Sequence, residues 1–292
     1  MWYTVDMKQI HRQCRQGLAL LLALALCVAL CGCRREEPDP HAGMVEVFNG
    51  AASDWITPKP AVPVSALTQA DFSLDGEVVR YGGTACRAAQ GVDVSYYQGE
   101  IDWAAVAASG VEFAMIRAGY RGYTDGGITE DERFRENAQG ALNAGLRVGL
   151  YFFSQAVTVE EAEIEARWLL DAAKDFKITL PLVFDWEPIG GVSGEIRTDG
   201  MTGAETTACA RAFCEIIAGA GYEPCIYFSR WQGYYDYDLS QLTDYTFWVS
   251  GTGAWDDFYY AHTFWQYTFT GTVDGIATAV DRNIWYIPIT SG

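Results

Sequence analysis

Residues 180–187 read Leu-Pro-Leu-Val-Phe-Asp-Trp-Glu, an apolar run that closes on two carboxylates with one tryptophan between them. The uninterrupted apolar character, with Pro181 at its start, marks a buried strand. Strand side chains alternate, so Asp185 and Glu187 leave one face and Trp186 the other. A rise of about 3.3 Å per residue sets their Cβ atoms roughly 6–7 Å apart. Two acids that close in a poorly hydrated site push one pKa upward, which suits a group that must hold a proton near neutral pH. A solvated strand end would carry the same residue types, so the pair needs its context.

That context is a series of strands and helices that could bring further acids to the same place. From Gly91 onward apolar runs alternate with helical patterns: strands at 91–97, 113–119, 147–154, 180–187 and 224–229, with helices at 101–109, 131–144, 158–173 and 202–218. Thr158 with Glu161, and Thr202 with Glu205, have the spacing of capping boxes. Three further strands, at 247–251, 263–268 and 279–286, follow without a convincing helix. The expected fold is α/β: a modified TIM-like barrel of five β/α units followed by three strands with few or no helices. Closure leaves no unpaired edge. A doubly wound sheet is the alternative, but Gln98-Gly99 after the first strand is no phosphate-binding glycine fingerprint.

In such a barrel, reactive groups gather at the C-terminal ends of the strands. Asp93 lies in the first strand with Ser95 on its face, Asp185 and Glu187 end the fourth, and Asp281 lies in the last. First and last strands adjoin in a closed barrel, so Asp93 and Asp281 could meet at one mouth. Four converging acids, with His262 the one histidine of this region, point to glycoside hydrolysis ahead of metal chemistry, although an oxygen-ligated Mg²⁺ or Ca²⁺ site stays open. No metal or cofactor is expected. Aromatic residues on or near strand ends, among them Tyr96, Tyr97, Tyr120, Tyr151, Tyr227, Trp248, Trp265 and Tyr267, could stack on sugar faces, while about half of them belong to the core. Trp186 is expected to pack beneath a helix.

A formal charge of −18 over 292 residues argues against nucleic acid as a partner. Lys8, Arg12 and Arg15 precede an apolar run, Leu18–Leu30, of the length of a secretory signal, and Leu30-Cys31-Gly32-Cys33 resembles a bacterial lipobox. Residues 1–33 are therefore expected to be a signal peptide ending at a lipidated Cys33, which places the protein outside the cytoplasm on a lipid anchor. An uncleaved signal anchor is the alternative. Residues 34–70, with five prolines, are expected to be a flexible linker, residues 71–89 an extension packed on the barrel, and residues 90–292 the barrel itself. Cys86, Cys209, Cys214 and Cys225 match no metal motif and are expected to be free thiols in a monomer.

The segments Gly91–Gly99 (GVDVSYYQG), Ile101-Asp102-Trp103, Tyr151–Ala156 (YFFSQA), Asp185-Trp186-Glu187, Trp265-Gln266-Tyr267 and Val280-Asp281-Arg282-Asn283 resemble, in order, the motif series of glycoside hydrolase family 25, the Chalaropsis-type lysozymes. The resemblance covers about residues 90–287. It implies a barrel of five β/α units and three further strands, and cleavage of the β-1,4 bond between N-acetylmuramic acid and N-acetylglucosamine in peptidoglycan. Glu187 would be the general acid/base, with Asp93, Asp185 and Asp281 as supporting carboxylates and Asp185 as the charged partner that orients the substrate's 2-acetamido group. Ser95, Gln98, Tyr120, Tyr151, Tyr227, Trp248, Trp265 and Gln266 would contact the glycan. Two positions depart from the pattern: Ser250-Gly251 after the sixth strand, and Arg282 where leucine is usual. Covalent retention, inversion and attack by the acetamido group are each compatible with an i, i+2 pair. A chitinase-like hydrolase is a rival, with Val183 where that class has another Asp, as is a surface-anchored peptidoglycan-binding protein without catalysis.

Overall fold

The computed structural model describes residues 11, 12, 15, 39–191 and 194–289. Two units, Met1–Gly43 and Met44–Gly292, are distinguished. The lipobox and almost all of the expected signal lie outside the described residues, among which no helix is long and apolar enough to cross a membrane.

Eight strands of the second unit close into a barrel: β5 (Cys86–Val94), β6 (Phe113–Arg121), β8 (Arg147–Ser154), β9 (Leu182–Trp186), β10 (Pro224–Ser229), β11 (Thr246–Ser250), β12 (Phe264–Gly271) and β13 (Val280–Pro288). From β5 through β12 the neighbours run parallel, and β13 closes the ring antiparallel to both β12 and β5. A short strand β7 (Ile128–Glu130) lengthens the edge of β6. Helices α1 (Trp103–Ala108), α2 (Phe134–Asn143), α3 (Val159–Ala173) and α4 (Gly203–Gly219) follow the first four barrel strands. The fifth strand is followed by a π turn, Gln232–Asp236, and a 3-10 turn, so the fifth unit lacks a full helix. Thr202 and Glu205 form the expected capping box. At α3 only half of one forms: Thr158 accepts from the Glu161 N–H, while the Glu161 carboxylate binds Arg197 and the Val157 N–H.

Alternation along the strands divides the core. Val92, Ile116, Val148, Leu150, Phe184, Ile226 and Val249 point outward into the layer beneath the helices. Phe113, Met115, Tyr151, Val183, Cys225, Tyr227, Trp248, Phe264 and Trp285 point inward and fill the barrel. Gly91 is part of this floor, because a Cβ there would lie 2.3 Å from the Phe113 ring.

The N-terminal segment departs from expectation. Residues 44–70 are not a linker: β1 (Val45–Phe48) and β2 (Ser53–Ile56) form a hairpin, and Val47, Ile56 and Val62 are buried in the main core. Lys59 reaches the Tyr237 carbonyl, Val64 bridges to Tyr260, and the Ser65 N–H donates to Tyr259. A second hairpin, β3 (Phe72–Asp75) with β4 (Val78–Tyr81), packs Val79, Phe72 and Tyr81 on Trp265, Tyr267, Ile284 and Tyr286. The physical reason is coverage. The last three strands carry no helices, so their outward apolar side chains need another layer, and the N-terminal hairpins supply it. The barrel also begins earlier than expected, since Cys86–Ala89 already pair with β13. Cys86, Cys209, Cys214 and Cys225 are free, the last three buried.

Candidate active site

Asp93 is the eighth of nine residues in β5 and reaches the mouth from the strand's C-terminal end. Asp281 is the second residue of β13 and reaches the same mouth because that strand runs the other way; the register pairs it directly with Asp93. Asp185 projects inward from β9, and Glu187 follows one residue beyond the strand. The four acids line one cavity of about 190 Å³ together with Ser95, Tyr97, Gln98, Arg117, Tyr151, Phe153, Tyr227, Trp248 and Gln266.

A chain of hydrogen bonds orders the acids. The Asn283 amide donates to Asp93 Oδ2 at 2.7 Å, and Gln266 donates to the same oxygen at 2.9 Å and to Asp281 Oδ2 at 3.3 Å. Behind them, Trp248 Nε1 donates to Asn283 Oδ1 at 2.8 Å and the Tyr227 hydroxyl to Gln266 Oε1 at 2.7 Å. Gln266 thus bridges Asp93 and Asp281, and the charge of Asp93 acts on Asp281 as that of Glu187 acts on Asp185. Burial, followed by the charge of Asp93, raises Asp281 to about 9 and Glu187 to about 7. Asp185 is raised well above the carboxylate range by burial and then by the charge of Glu187.

The surroundings of the two buried aspartates differ. Burial raises Asp93, and the Asn283 and Gln266 amides that donate to it act the other way. Asp185 has fewer such partners: its Oδ1 is buried without a hydrogen-bond partner among the described residues.

The remaining expected residues divide in three. Tyr151, Tyr227 and Trp248 form the cavity floor, the last two with ring centroids 4.8 Å apart. Ser95 and Gln98 line the cavity but close a turn, with Gln98 Oε1 accepting from the Ser95 N–H and its amide donating to the Ala279 carbonyl. Gln266 lines it too, its amide committed to the acids and to Tyr227. Tyr120 lies instead in an adjoining cleft of about 590 Å³ with Tyr96, Tyr97 and Tyr123. Trp265 is placed elsewhere: fully buried on the outer face, it donates to the Gly251 carbonyl and meets Phe72 edge-on. Adjacent strand residues cannot both face inward, and Gln266 takes the inward position. Trp186 packs in the outer core as expected. His262 is buried 2.6 Å from Asp256 and does not line the cavity.

Four contributors were not singled out from sequence. Asn283, two residues beyond Asp281, shares its face and could have been found by the rule that paired Asp185 with Glu187. Arg117 is a lone cation in the apolar strand FAMIRAG, a visible anomaly. Gln155 and Gln232 donate to the carbonyls of Glu187 and Trp186, each at 2.9 Å, and fix the backbone on which the acids sit. That contact had no local sequence signal.

Residues 92–276 match the model of glycosyl hydrolases family 25. Lysozyme M1 of Streptomyces globisporus is 29% identical over 66% of this chain and 66% of its own length. The autolytic lysozyme of Clostridium acetobutylicum is 25% identical over 66% of this chain and 54% of its own, so the chain spans less than two thirds of either relative. The solved structure of a bacterial lysozyme from Streptomyces coelicolor superposes with a TM-score of 0.54 at 29% identity, covering 67% of this chain and 90% of that one. With a matching family model over more than half its length and the same barrel, the chain belongs to glycosyl hydrolase family 25.

Proposed function

We propose that the protein is a peptidoglycan hydrolase that cleaves the β-1,4 bond between N-acetylmuramic acid and N-acetylglucosamine, with Glu187 as general acid/base and Asp185 as partner to the substrate's acetamido group. The similar lysozymes support the substrate class. The observation that carries the mechanism is the placement of both acids in one cavity, Asp185 pointing inward from β9 and Glu187 one residue beyond that strand. A covalent retaining pair flanks the sugar with carboxyls about 5–5.5 Å apart, and an inverting pair needs about 6.5–9.5 Å for its water. Two carboxyls carried at i and i+2 by one strand end approach the sugar from one side, which leaves the attack on C1 to the substrate's own acetamido oxygen.

The pair carries the proton the reaction needs. When an acetamido N–H donates to Asp185 Oδ1, the oxygen without a partner, the ionised form of Asp185 gains a donor and the proton stays with Glu187. Glu187 then protonates the glycosidic oxygen as the C1–O bond breaks, and the acetamido oxygen bonds to C1. The resulting cyclic cation faces the Asp185 carboxylate. Water, losing its proton to Glu187, opens the ring with net retention. Asp93, held by Asn283 and Gln266, keeps a negative charge near Glu187 and so favours its protonated form. The test is the anomeric configuration of the first-formed reducing end, followed by proton NMR: retention is expected, and inversion would overturn the acetamido route.

The lipid anchor at Cys33 belongs to the same reading, as placement of a wall hydrolase on the outer membrane surface. Mass spectrometry of the mature N-terminus tests it: a diacylglyceryl-modified Cys33 is expected, and a mature chain beginning elsewhere would exclude it.

A further inference from the structure

The Arg117 guanidinium stands where the acid cavity opens into the tyrosine-lined cleft, and its side chain lines both. Its Nε donates to Asp131 Oδ2 at 2.8 Å, and the rings of Tyr96, Tyr97 and Tyr120 surround it at 5.1, 5.4 and 5.4 Å from their centroids. Its Nη2 is buried without an acceptor among the described residues, a costly state for a charged donor. The other cation of the cleft, Arg121, is spent: its nitrogens serve Glu165 and the carbonyls of Gly126 and Glu161. In a cavity with four acids, Arg117 is thus the cation with donor capacity to spare. It also lies near enough to Asp185 to act on its charge.

We propose that Arg117 is a specificity-determining residue that donates to the carboxyl-derived oxygens of the lactyl ether on the muramic acid bound at Asp185. This rests on the muramidase reading. The acetamido group assigned to Asp185 hangs from C2 of the sugar and the lactyl ether from C3, so a cation lining the same cavity as Asp185 is placed to meet it. An N-acetylglucosamine in the same position offers a hydroxyl there and leaves Nη2 unsatisfied, which disfavours it. A free lactyl carboxylate forms a stronger, charge-assisted and bidentate contact than the amide carbonyl of a peptide-bearing glycan.

The experiment measures dissociation constants on the Glu187→Gln protein, with and without Arg117→Met or Arg117→Lys. Three glycans of equal length serve as probes: amidase-stripped peptidoglycan oligomers, the same oligomers with their peptide stems, and chitin oligomers. Arg117→Met is expected to weaken binding of the stripped glycan roughly ten- to a hundredfold, the peptide-bearing glycan by less, and chitin by under about twofold. An equal loss on all three, or none, would overturn the proposal. Should Arg117→Met fail to fold, Arg117→Lys decides, because lysine keeps the charge without the planar fork: preference for stripped glycan over chitin should fall about threefold or more, and an unchanged preference would overturn the assignment. Wild-type cleavage of peptidoglycan is assayed in parallel. Cleavage with unaltered discrimination removes the Arg117 assignment alone, and altered discrimination without cleavage removes the hydrolase reading while leaving Arg117 as the lactyl-binding residue.

Discussion

Asp281 stands directly opposite Asp93 across the antiparallel β13–β5 ladder, and the Gln266 amide donates to both carboxyls. The neighbours decide where the proton rests. Asn283 and Gln266 donate to Asp93, whereas Asp281 is raised to about 9 by burial and the Asp93 charge, so Asp281 is the protonated partner at neutral pH. The charge left on Asp93 acts in turn on Glu187.

That sequence of effects predicts a pH profile. Glu187, raised to about 7 by burial and then by Asp93, must be protonated to act as acid, so kcat should fall as pH rises through about 7. Asp93→Asn removes the charge and should move this alkaline limb downward by roughly one pH unit. A limb that stays in place in the variant would separate Asp93 from Glu187.

Stability should follow the same groups with a definite sign. Glu187, Asp281 and the structural Glu165 have folded-state pKa values raised to about 7, 9 and 7. A carboxyl raised on folding contributes stability that is fully present below its unfolded pKa, near 4, and lost as pH rises through the folded value. Thermal denaturation should therefore show Tm rising as pH falls from 9 towards 5.5. Glu187→Gln should raise Tm by a few degrees at pH 8 and by less at pH 5.5; the reverse order would contradict the assignment.

Removing residues 44–70 tests the N-terminal hairpin. Burial of Val47, Ile56 and Val62 contributes at most about 1.5–3 kcal/mol each. A chain beginning at residue 71 should lose several kcal/mol in a urea titration relative to one beginning at 44. Equal midpoints would restore the segment to a tether.

Gln232 holds the Ser229 N–H on its Oε1 and donates through its Nε2 to the Trp186 carbonyl, between the two acids. Gln232→Met keeps the volume and removes these bonds. As a positioning change it should lower kcat roughly tenfold with KM little moved. A rise in KM at constant kcat would mean a binding role instead.

Strand periodicity made much of this site legible. It aligned Asp185 with Glu187, sent Trp186 outward and brought Asp93 to Asp281 once closure was assumed. The same rule, not applied along β12 and β13, would have rejected Trp265 and found Asn283. The prolines of residues 44–70 describe local chain stiffness, whereas Val47, Ile56 and Val62 join the main core and Lys59 and Ser65 bond to Tyr237 and Tyr259, more than 150 residues away. Proton placement is likewise illegible: spacing indicates that one acid of a pair is raised, whereas the donors that Asp93 has and Asp185 Oδ1 lacks come from residues distant in sequence.

The most direct test of the central proposal is mass spectrometry of fragments released from purified peptidoglycan by the wild-type protein and by Glu187→Gln. Fragments ending in reducing N-acetylmuramic acid are predicted, with release slowed roughly 10²- to 10⁴-fold in the variant. Fragments ending in reducing N-acetylglucosamine, or equal release by both proteins, would contradict it.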